Sequence, residues 1–268
     1  MSKSSKYILA DGCSFTDANF VSDVHVGMEI NWPSWPEIFG EFCGLDVVNQ
    51  GKCGKGNDLI TNSLTKTILK DHKNIEMVVV GWSEIWRFAV YNHYKLNPMV
   101  ALSWPDKKLS ELQESARNLF KYMHQKDLVD VHYTSEIPSL FQLHMQSWID
   151  NMFQIQELCK LLDIKYIMAP VCGTWNLTRY TPSDKTLNGN IEFTEAQWFI
   201  MFAHMESFFD LDAEHLIGHP YFKDVSGFKF PFILPKKYMI SDKDQHPNAE
   251  GHEWIARKFY EHYTKIYS

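Results

Sequence analysis

The sequence predicts an α/β protein built on a parallel sheet that helices cover on both faces. Four short apolar runs have the composition of buried strands: Tyr7–Ala10, Leu45–Val48, Glu76–Val80 and Ile164–Pro170. The third run is continuous and β-branched, which is typical of a strand buried on both of its faces. Segments with helical spacing of apolar residues alternate with these runs, and that alternation favours parallel strands joined by helical crossovers.

The first half of the chain shows two strand–helix units separated by turn signals. The opening run stops at Asp11-Gly12, and Pro36 suits the first turn of a short helix over Glu37–Cys43. The second run leads into a glycine-rich loop, residues 51–57, whose last residue, Asn57, is a suitable N-cap. The helix that follows would carry its apolar residues on one face, at Leu59, Ile60, Leu64 and Ile68.

The second half is interrupted by segments without clear periodicity. We expect insertions near 85–130 and 173–235, a long helix over Ile137–Leu162 and an amphipathic last helix over Pro247–Tyr267. The sequence has no internal repeat and no convincing linker, so one domain over residues 1–268 with insertions is the simplest organisation. In such α/β folds, active groups collect at the carboxyl ends of the strands.

Composition and charge exclude several classes of protein. The formal net charge of −7 argues against a general nucleic-acid binder, because backbone phosphates require a basic face. The N-terminal segment lacks an apolar stretch of signal-peptide length, and no run of about 18 apolar residues indicates a membrane span. We therefore expect a cytoplasmic protein without membrane association. The five cysteines include no CxxC pair, which agrees with a reducing compartment.

Aromatic residues make up 15% of the chain. They are dense in the second half, at Trp198, Phe199, Phe202, Phe208 and Phe209 and again between Phe222 and Phe232. Most are expected in the core, but these segments could also line a substrate pocket or form a contact in a homo-oligomer.

Four short blocks at strand ends or before the last helix carry residues suited to chemistry. They are Gly12-Cys13-Ser14, the glycine-rich loop with Asn49 and Gly54, Gly81-Trp82-Ser83-Glu84, and Asp242–Asn248. A serine hydroxyl becomes a competent nucleophile only when a base takes its proton, so Ser14 requires a partner such as His246. In isolation each of the two fits an ordinary turn, whereas their pairing in this chain order favours a hydrolytic site.

In that order the blocks resemble the SGNH (GDSL-like) hydrolase family, most closely in GCSFT near the start and DQHPNAEGHEWIA near the end. The family comprises esterases, lipases, thioesterases and carbohydrate deacetylases, so the resemblance implies an ester hydrolase. It also implies a flavodoxin-like three-layer α/β/α sandwich with a central, mostly parallel sheet. The GCSFT and GWS patterns look like members found in bacteriophage genomes.

Carried over residue by residue, the resemblance makes Ser14 the nucleophile and His246 the general base. We expect Pro247 at the first helical position, which would make His246 the N-cap of the last helix. The family places an aspartate three residues before the histidine, where this chain has Lys243. Asp244 is the favoured orienting carboxylate, and Asp242 is the alternative.

The resemblance also implies an oxyanion hole, because the family stabilises the transition-state oxyanion with two amides and an asparagine side chain. The matching groups are the amides of Ser14 and Gly54 and the side chain of Ser83, which stands where the family has asparagine. A hydroxyl can donate a hydrogen bond but reaches less far than a carboxamide. Full esterase activity therefore depends on whether Ser83 can replace that asparagine.

The expected substrate is a small-molecule or glycan ester. Acetylated carbohydrate is favoured because no long apolar helix or lid suggests a lipid. The alternative function is a catalytically weakened binding or structural protein on the same fold, for example a phage virion component, which would then be located in the virion.

Two further functions are disfavoured by their motifs. The order G-x-x-G-x-G in the glycine-rich loop matches neither the phosphate-binding loop nor the dinucleotide pattern. His215 and His219 are four residues apart but lack an obvious third ligand, and the sequence has no HExxH. We therefore expect no metal and no cofactor.

Overall fold

A parallel sheet of four strands forms the centre of the part of the chain that the structure describes. The computed structural model describes residues 6–83, 140–171, 210–217 and 234–268, with side chains of the third helix from residue 146 onward. The strands are β1 (Tyr7–Gly12), β2 (Asp46–Asn49), β3 (Ile75–Trp82) and β4 (Lys165–Pro170). All pairs are parallel and the spatial order is β2-β1-β3-β4, which confirms the predicted parallel sheet.

Within the residues that the structure describes, four α-helices lie on the two faces of this sheet. They are α1 (Trp35–Cys43), α2 (Asn57–Asp71), α3 (Leu140–Leu161) and α4 (Ala249–Tyr267), with one-turn helices at His72–Asn74 and Lys236–Tyr238. Helices α2 and α3 cover one face, and α1 and α4 cover the other. The result is the three-layer α/β/α arrangement that the sequence predicts.

The pleat of β1 separates the two cores. Leu9 packs with α2 and α3, whereas its neighbours Ile8 and Ala10 pack with α1 and α4. This alternation follows from the two-residue period of a strand. Apolar residues on both sides explain why the strand is a continuous hydrophobic run. The predicted face of α2 is buried through Ile60, Leu64 and Ile68.

Aromatic stacking joins α1 to α4. The rings of Trp35 and Phe259 stack with centroids 4.2 Å apart, and Phe39 meets Phe259 edge-on at 6.1 Å. All three side chains are fully buried. Such pairs contribute about 0.5–1.5 kcal/mol beyond their burial. The contact holds the middle of α4 against α1 on this face of the sheet.

The last helix begins two residues later than predicted. Asn248, and not His246, is its N-cap, because its side chain accepts a hydrogen bond from the Gly251 N–H at 2.9 Å. Pro247 forms an isolated bridge with Met239 ahead of the helix. The prediction that His246 caps the helix was wrong, since the asparagine two residues later supplies the side-chain oxygen that binds the free amide of Gly251.

The start of α2 also differs from the prediction. Gly56 is its N-cap and Asn57 is its first helical residue. The predicted insertion at 85–130 lies outside the described residues, as does most of 173–235, apart from 210–217 and 234–235. The organisation as one domain stays a prediction. Among the helices that the structure describes, none is long and apolar enough to cross a membrane.

A buried histidine supports the packing of α4 against α1. His252 is 4% exposed, and its Nδ1 accepts a hydrogen bond from the Trp35 N–H at 3.1 Å. It thereby satisfies an amide at the start of α1, where Ser34 makes no side-chain cap. Burial, and to a lesser degree the nearby His246, lowers the pKa of His252 to about 4.

The pKa of His252 predicts acid sensitivity of the fold. Between about pH 6.5 and pH 4 the unfolded chain binds a proton at this position and the folded chain does not, so stability falls as the pH is lowered. The loss should approach about 3 kcal/mol near pH 4. His252→Asn keeps an acceptor for the Trp35 amide but does not titrate. Urea unfolding between pH 4 and pH 7 should therefore depend less on pH in this variant; an unchanged dependence would contradict the assignment.

Candidate active site

Ser14 lies in a tight turn directly after β1. The N–H groups of Thr16 and Asp17 both donate to the Cys13 carbonyl, at 2.9 and 3.1 Å, and close the turn. The Ser14 side chain is 3% exposed. The strand thus delivers Ser14 to the carboxyl end of the sheet, as the sequence predicts for a residue at this position.

Close packing around Thr16 fixes this turn. A Cβ at Gly81, at the end of β3, would lie 2.8 Å from the Thr16 Oγ1, and one at Gly12 would lie closer still. Only glycine allows the two strands to approach this side chain so closely. The Asn49 Nδ2 donates to the Thr16 carbonyl at 2.8 Å and ties in the end of β2. Three neighbouring strand ends therefore converge on one buried threonine.

His246 reaches Ser14 from the other end of the chain. Its Nε2 lies 2.8 Å from the Ser14 Oγ, and its Nδ1 lies 2.6 Å from the Asp244 Oδ1. An ionised carboxylate can only accept, so Nδ1 carries the proton and Nε2 is free to accept from the serine hydroxyl. The rings of Phe20 and Phe15 lie beside the imidazole, with centroids 4.2 and 5.2 Å away.

Asp244, the favoured carboxylate, is the one that contacts His246. Its side chain is 2% exposed. Burial raises its pKa, but hydrogen bonds from Ser22 and His246 outweigh burial and hold the pKa below its usual range. Asp242, the alternative, is 81% exposed and pairs with Lys236 at 3.3 Å. The structure thus brings Asp244 to the histidine and leaves Asp242 in solvent.

The glycine-rich loop docks onto the Ser14 turn. The Lys52 N–H donates to the Gly12 carbonyl at 3.1 Å, and the Cys53 N–H donates to the Asp17 Oδ2 at 2.8 Å. Gly54 has a φ of 80°, a left-handed value that favours glycine, in a turn closed by the Lys55 N–H on the Lys52 carbonyl. Gly54 therefore lies in a loop that contacts the Ser14 turn through its neighbours Lys52 and Cys53.

Ser83 directly follows β3, the strand next to β1. Its backbone is held by Asn57, which the sequence suggested only as a helix cap. The Ser83 N–H donates to the Asn57 Oδ1 at 2.9 Å, and the Asn57 Nδ2 donates to the Ser83 carbonyl at 3.4 Å. The Ser83 hydroxyl is buried and has no hydrogen-bond partner within the described residues. A buried hydroxyl without a partner costs about 1–3 kcal/mol, which marks it as a candidate for a functional contact.

A buried ion pair lies under the glycine-rich loop and was not predicted from the sequence. The Lys55 Nζ lies 2.6 Å from both Asp11 oxygens and 2.7 Å from the Ser63 Oγ, and Ser63 also donates to Asp11. Asp11 is fully buried, and burial raises its pKa to about 6 against the opposing effects of Lys55, Ser63 and the Gly12 amide. The pair ties the glycine-rich loop to the end of β1. In the sequence, the charged Asp11 at the end of an otherwise apolar strand was the feature that could have indicated this buried pair.

The predicted histidine pair is only half described. The His215 ring stacks on the Tyr166 ring at 4.4 Å, and His219 lies outside the described residues. In the part of the chain that the structure covers, no group of three or more His, Cys, Asp or Glu side chains could hold a metal ion.

Comparison with known proteins gives matches among solved structures alone. No protein-family model and no curated protein matches the sequence. A protein from Desulfitobacterium hafniense DCB-2, described as lipolytic and of the G-D-S-L family, is 12% identical with a TM-score of 0.34; the match covers 96% of this chain and 99% of that one.

A second similar structure is a catalytic mutant of Axe2, an acetylxylan esterase from Geobacillus stearothermophilus. It is 14% identical to this chain with a TM-score of 0.40, and the match covers 98% of this chain and 96% of that one. At such identities and TM-scores, the chemistry of this chain has to be argued from its own residues.

The buried ion pair predicts a strong effect of its lysine on stability. Lys55→Met should lower the free energy of unfolding by about 3–5 kcal/mol, because it leaves the Asp11 carboxylate buried without its partner. Lys52→Met, at an exposed position of the same loop, is the matched control and should change little. The double variant Asp11→Leu/Lys55→Met should recover much of the loss. Equal urea midpoints for Lys55→Met and Lys52→Met would refute this role of the pair.

Proposed function

We propose that this chain is a serine esterase that hydrolyses an ester by acyl transfer through Ser14. The observation that carries the proposal is the hydrogen-bonded chain from the Ser14 hydroxyl through His246 to Asp244. These groups are a nucleophile, a base within reach of its proton, and a carboxylate that orients the base. The protonation pattern derived above, with the proton on Nδ1, is the one that such a base requires.

In the first step, Nε2 of His246 takes the Ser14 proton while Oγ attacks the ester carbonyl carbon. Asp244 stays ionised and stabilises the imidazolium that forms, which agrees with the lowered pKa of this carboxyl group. The aromatic rings of Phe15 and Phe20 limit the positions that the imidazole can adopt. The base is thereby held close to the nucleophile before substrate binds.

The tetrahedral intermediate needs donors for its oxyanion. The Ser14 and Gly54 amides and the Ser83 hydroxyl are the candidate donors. In support, Asn57 holds the Ser83 backbone, and the Ser83 hydroxyl is free to donate because it has no partner within the described residues. Preorganised donors of this type are worth about 10²–10³ in rate each.

The second half of the reaction reverses the proton transfer. His246 gives its proton to the departing alcohol as the bond from the carbonyl carbon to the alkoxy oxygen breaks, which leaves an acyl group on Ser14. A water molecule, deprotonated by His246, then attacks the acyl carbon, and His246 returns that proton to the Ser14 Oγ as the bond between Oγ and the acyl carbon breaks. The products are a carboxylic acid and the free Ser14 hydroxyl, and no cofactor takes part.

The proposed substrate is a small-molecule or glycan ester, with acetylated carbohydrate as the favoured class. The sequence has no long apolar segment that would serve as a lid over a lipid chain. A second candidate function is a binding or structural protein with weakened chemistry, such as a virion component. The observation in its favour is the short Ser83 hydroxyl in place of the family's asparagine.

A fluorophosphonate probe distinguishes the two candidate functions. Wild-type protein should be labelled on Ser14, since His246 activates that hydroxyl, and Ser14→Ala should not be labelled. On p-nitrophenyl esters of increasing chain length, Ser14→Ala should lose at least about 10³-fold in kcat/KM. A folded wild type that is neither labelled nor active would favour the binding protein, and activity that survives in Ser14→Ala would assign the chemistry to another residue.

Ser83→Ala should move activity and stability in opposite directions. Removal of the hydroxyl should lower kcat on p-nitrophenyl acetate by about 10²–10³ if it donates to the oxyanion. The same change removes a buried hydroxyl without a partner and should raise the free energy of unfolding by about 1 kcal/mol. Steady-state kinetics and urea unfolding on the same samples test both parts. An unaltered kcat would remove Ser83 from the oxyanion hole.

A further inference from the structure

The loop between β1 and α1 contains an inverted burial pattern. In this β1–α1 loop, residues 17–34, the apolar side chains of Val21, Val24 and Val26 are 65%, 48% and 90% exposed. Ser22 between them is 2% exposed. A buried polar side chain among exposed apolar ones is the informative exception in such a loop, because folding has to compensate for its lost hydration.

The Ser22 hydroxyl is committed to the carboxylate that orients His246. Its oxygen accepts a hydrogen bond from the His25 N–H at 2.9 Å, and its proton is donated to the Asp244 Oδ2. The other oxygen of Asp244, Oδ1, accepts from His246, through Nδ1 at 2.6 Å and through the backbone N–H at 3.2 Å. Each oxygen of the carboxylate therefore has its own donor, and the plane of the group is fixed.

A second contact joins the same two segments. The His25 Nε2 lies 2.8 Å from the Ser241 Oγ, and that oxygen accepts the Asp244 N–H at 3.0 Å. The β1–α1 loop thus holds both the side chain and the backbone of Asp244. Phe20, from the same loop, lies against the His246 ring. The loop is therefore built around the histidine–aspartate pair.

We propose that Ser22 is a positioning residue that holds Asp244 in the orientation needed to direct His246 toward Ser14. The inference rests on the proposed esterase function. It also accounts for the spacing of this chain, in which the carboxylate lies two residues before the histidine. At that spacing one oxygen of the carboxylate accepts from both the backbone N–H and the ring of His246, and the Ser22 hydroxyl donates to the other oxygen.

A double-mutant cycle separates positioning from general support of the fold. We would measure kcat and KM on p-nitrophenyl acetate for wild type, Ser22→Ala, Asp244→Ala and the double variant. Ser22→Ala should lower kcat by about 10- to 100-fold with little change in KM, the range expected when a hydrogen bond to a charged group is lost. In the Asp244→Ala background, Ser22→Ala should have no further effect, because Ser22 acts through that carboxylate.

Asp23→Ala is the matched control, since Asp23 is the exposed neighbour of Ser22. It should retain wild-type kcat. Equal losses from Ser22→Ala in both backgrounds, or a wild-type kcat in Ser22→Ala, would overturn the proposal. If Ser22→Ala does not fold, Ser22→Cys, which keeps a weaker donor, takes its place. Its kcat should lie below that of wild type, and an equal kcat would again overturn the proposal.

A readout without substrate distinguishes failure of this inference from failure of the proposed function. The proton on His246 Nδ1 can be followed by proton NMR, because its bond to Asp244 protects it from exchange. Its signal should be present in wild type and in Asp23→Ala and should be lost or broadened in Ser22→Ala. If wild type proves inactive and is not labelled by fluorophosphonate, the esterase proposal fails, and this signal alone decides the role of Ser22. A signal that persists in Ser22→Ala contradicts it.

Discussion

The close approach of three strand ends to Thr16 is the constraint on which the rest of the site depends. The Thr16 hydroxyl lies so close to the glycines at the ends of β1 and β3 that neither position has room for a Cβ. The side chain of Asn49 donates a hydrogen bond to the Thr16 carbonyl. Thr16 closes the turn that carries Ser14. The position of Ser14 is therefore set by backbone packing at the carboxyl end of the sheet, which deforms less readily than a side chain held in solvent.

The surroundings of two buried carboxylates near this end of the sheet shift their pKa values in opposite directions. Asp11 lies deep between β1 and α2, and burial outweighs its donors, so its pKa is raised to about 6. Asp244 is also inaccessible to solvent but lies less deep in the protein, so hydrogen bonds from Ser22 and His246 outweigh the effect of burial and lower its pKa. The aspartate at position 11 thus connects the glycine-rich loop to β1 through its ion pair, whereas Asp244 keeps its negative charge beside the His246 ring.

The sequence was sufficient to predict the sheet, the order of the blocks and the meeting of Ser14 with His246. Parallel strands end at one edge, so residues after successive strands are brought together by topology alone. The partners of those residues were not predictable. Asn57 looks like an ordinary cap, and Ser22 lies in a polar loop without periodicity. Their roles depend on contacts across 26 and 222 positions of the chain, which no local pattern encodes. The cap of α4 was misplaced because His246 and Asn248 both precede the helical pattern, and Pro247 between them suits a first helical position.

The hydrogen bond between Ser14 and His246 spans 232 positions of the sequence. A contact of that range contributes strongly to the contact order, and the entropy of closing so large a loop has to be overcome before the contact forms. His246 lies shortly before α4, whose Phe259 stacks on Trp35. A chain whose sheet has formed but whose last helix has not docked lacks the contact between the imidazole and the serine. The Ser14–His246 contact therefore reports that the two ends of the chain have come together.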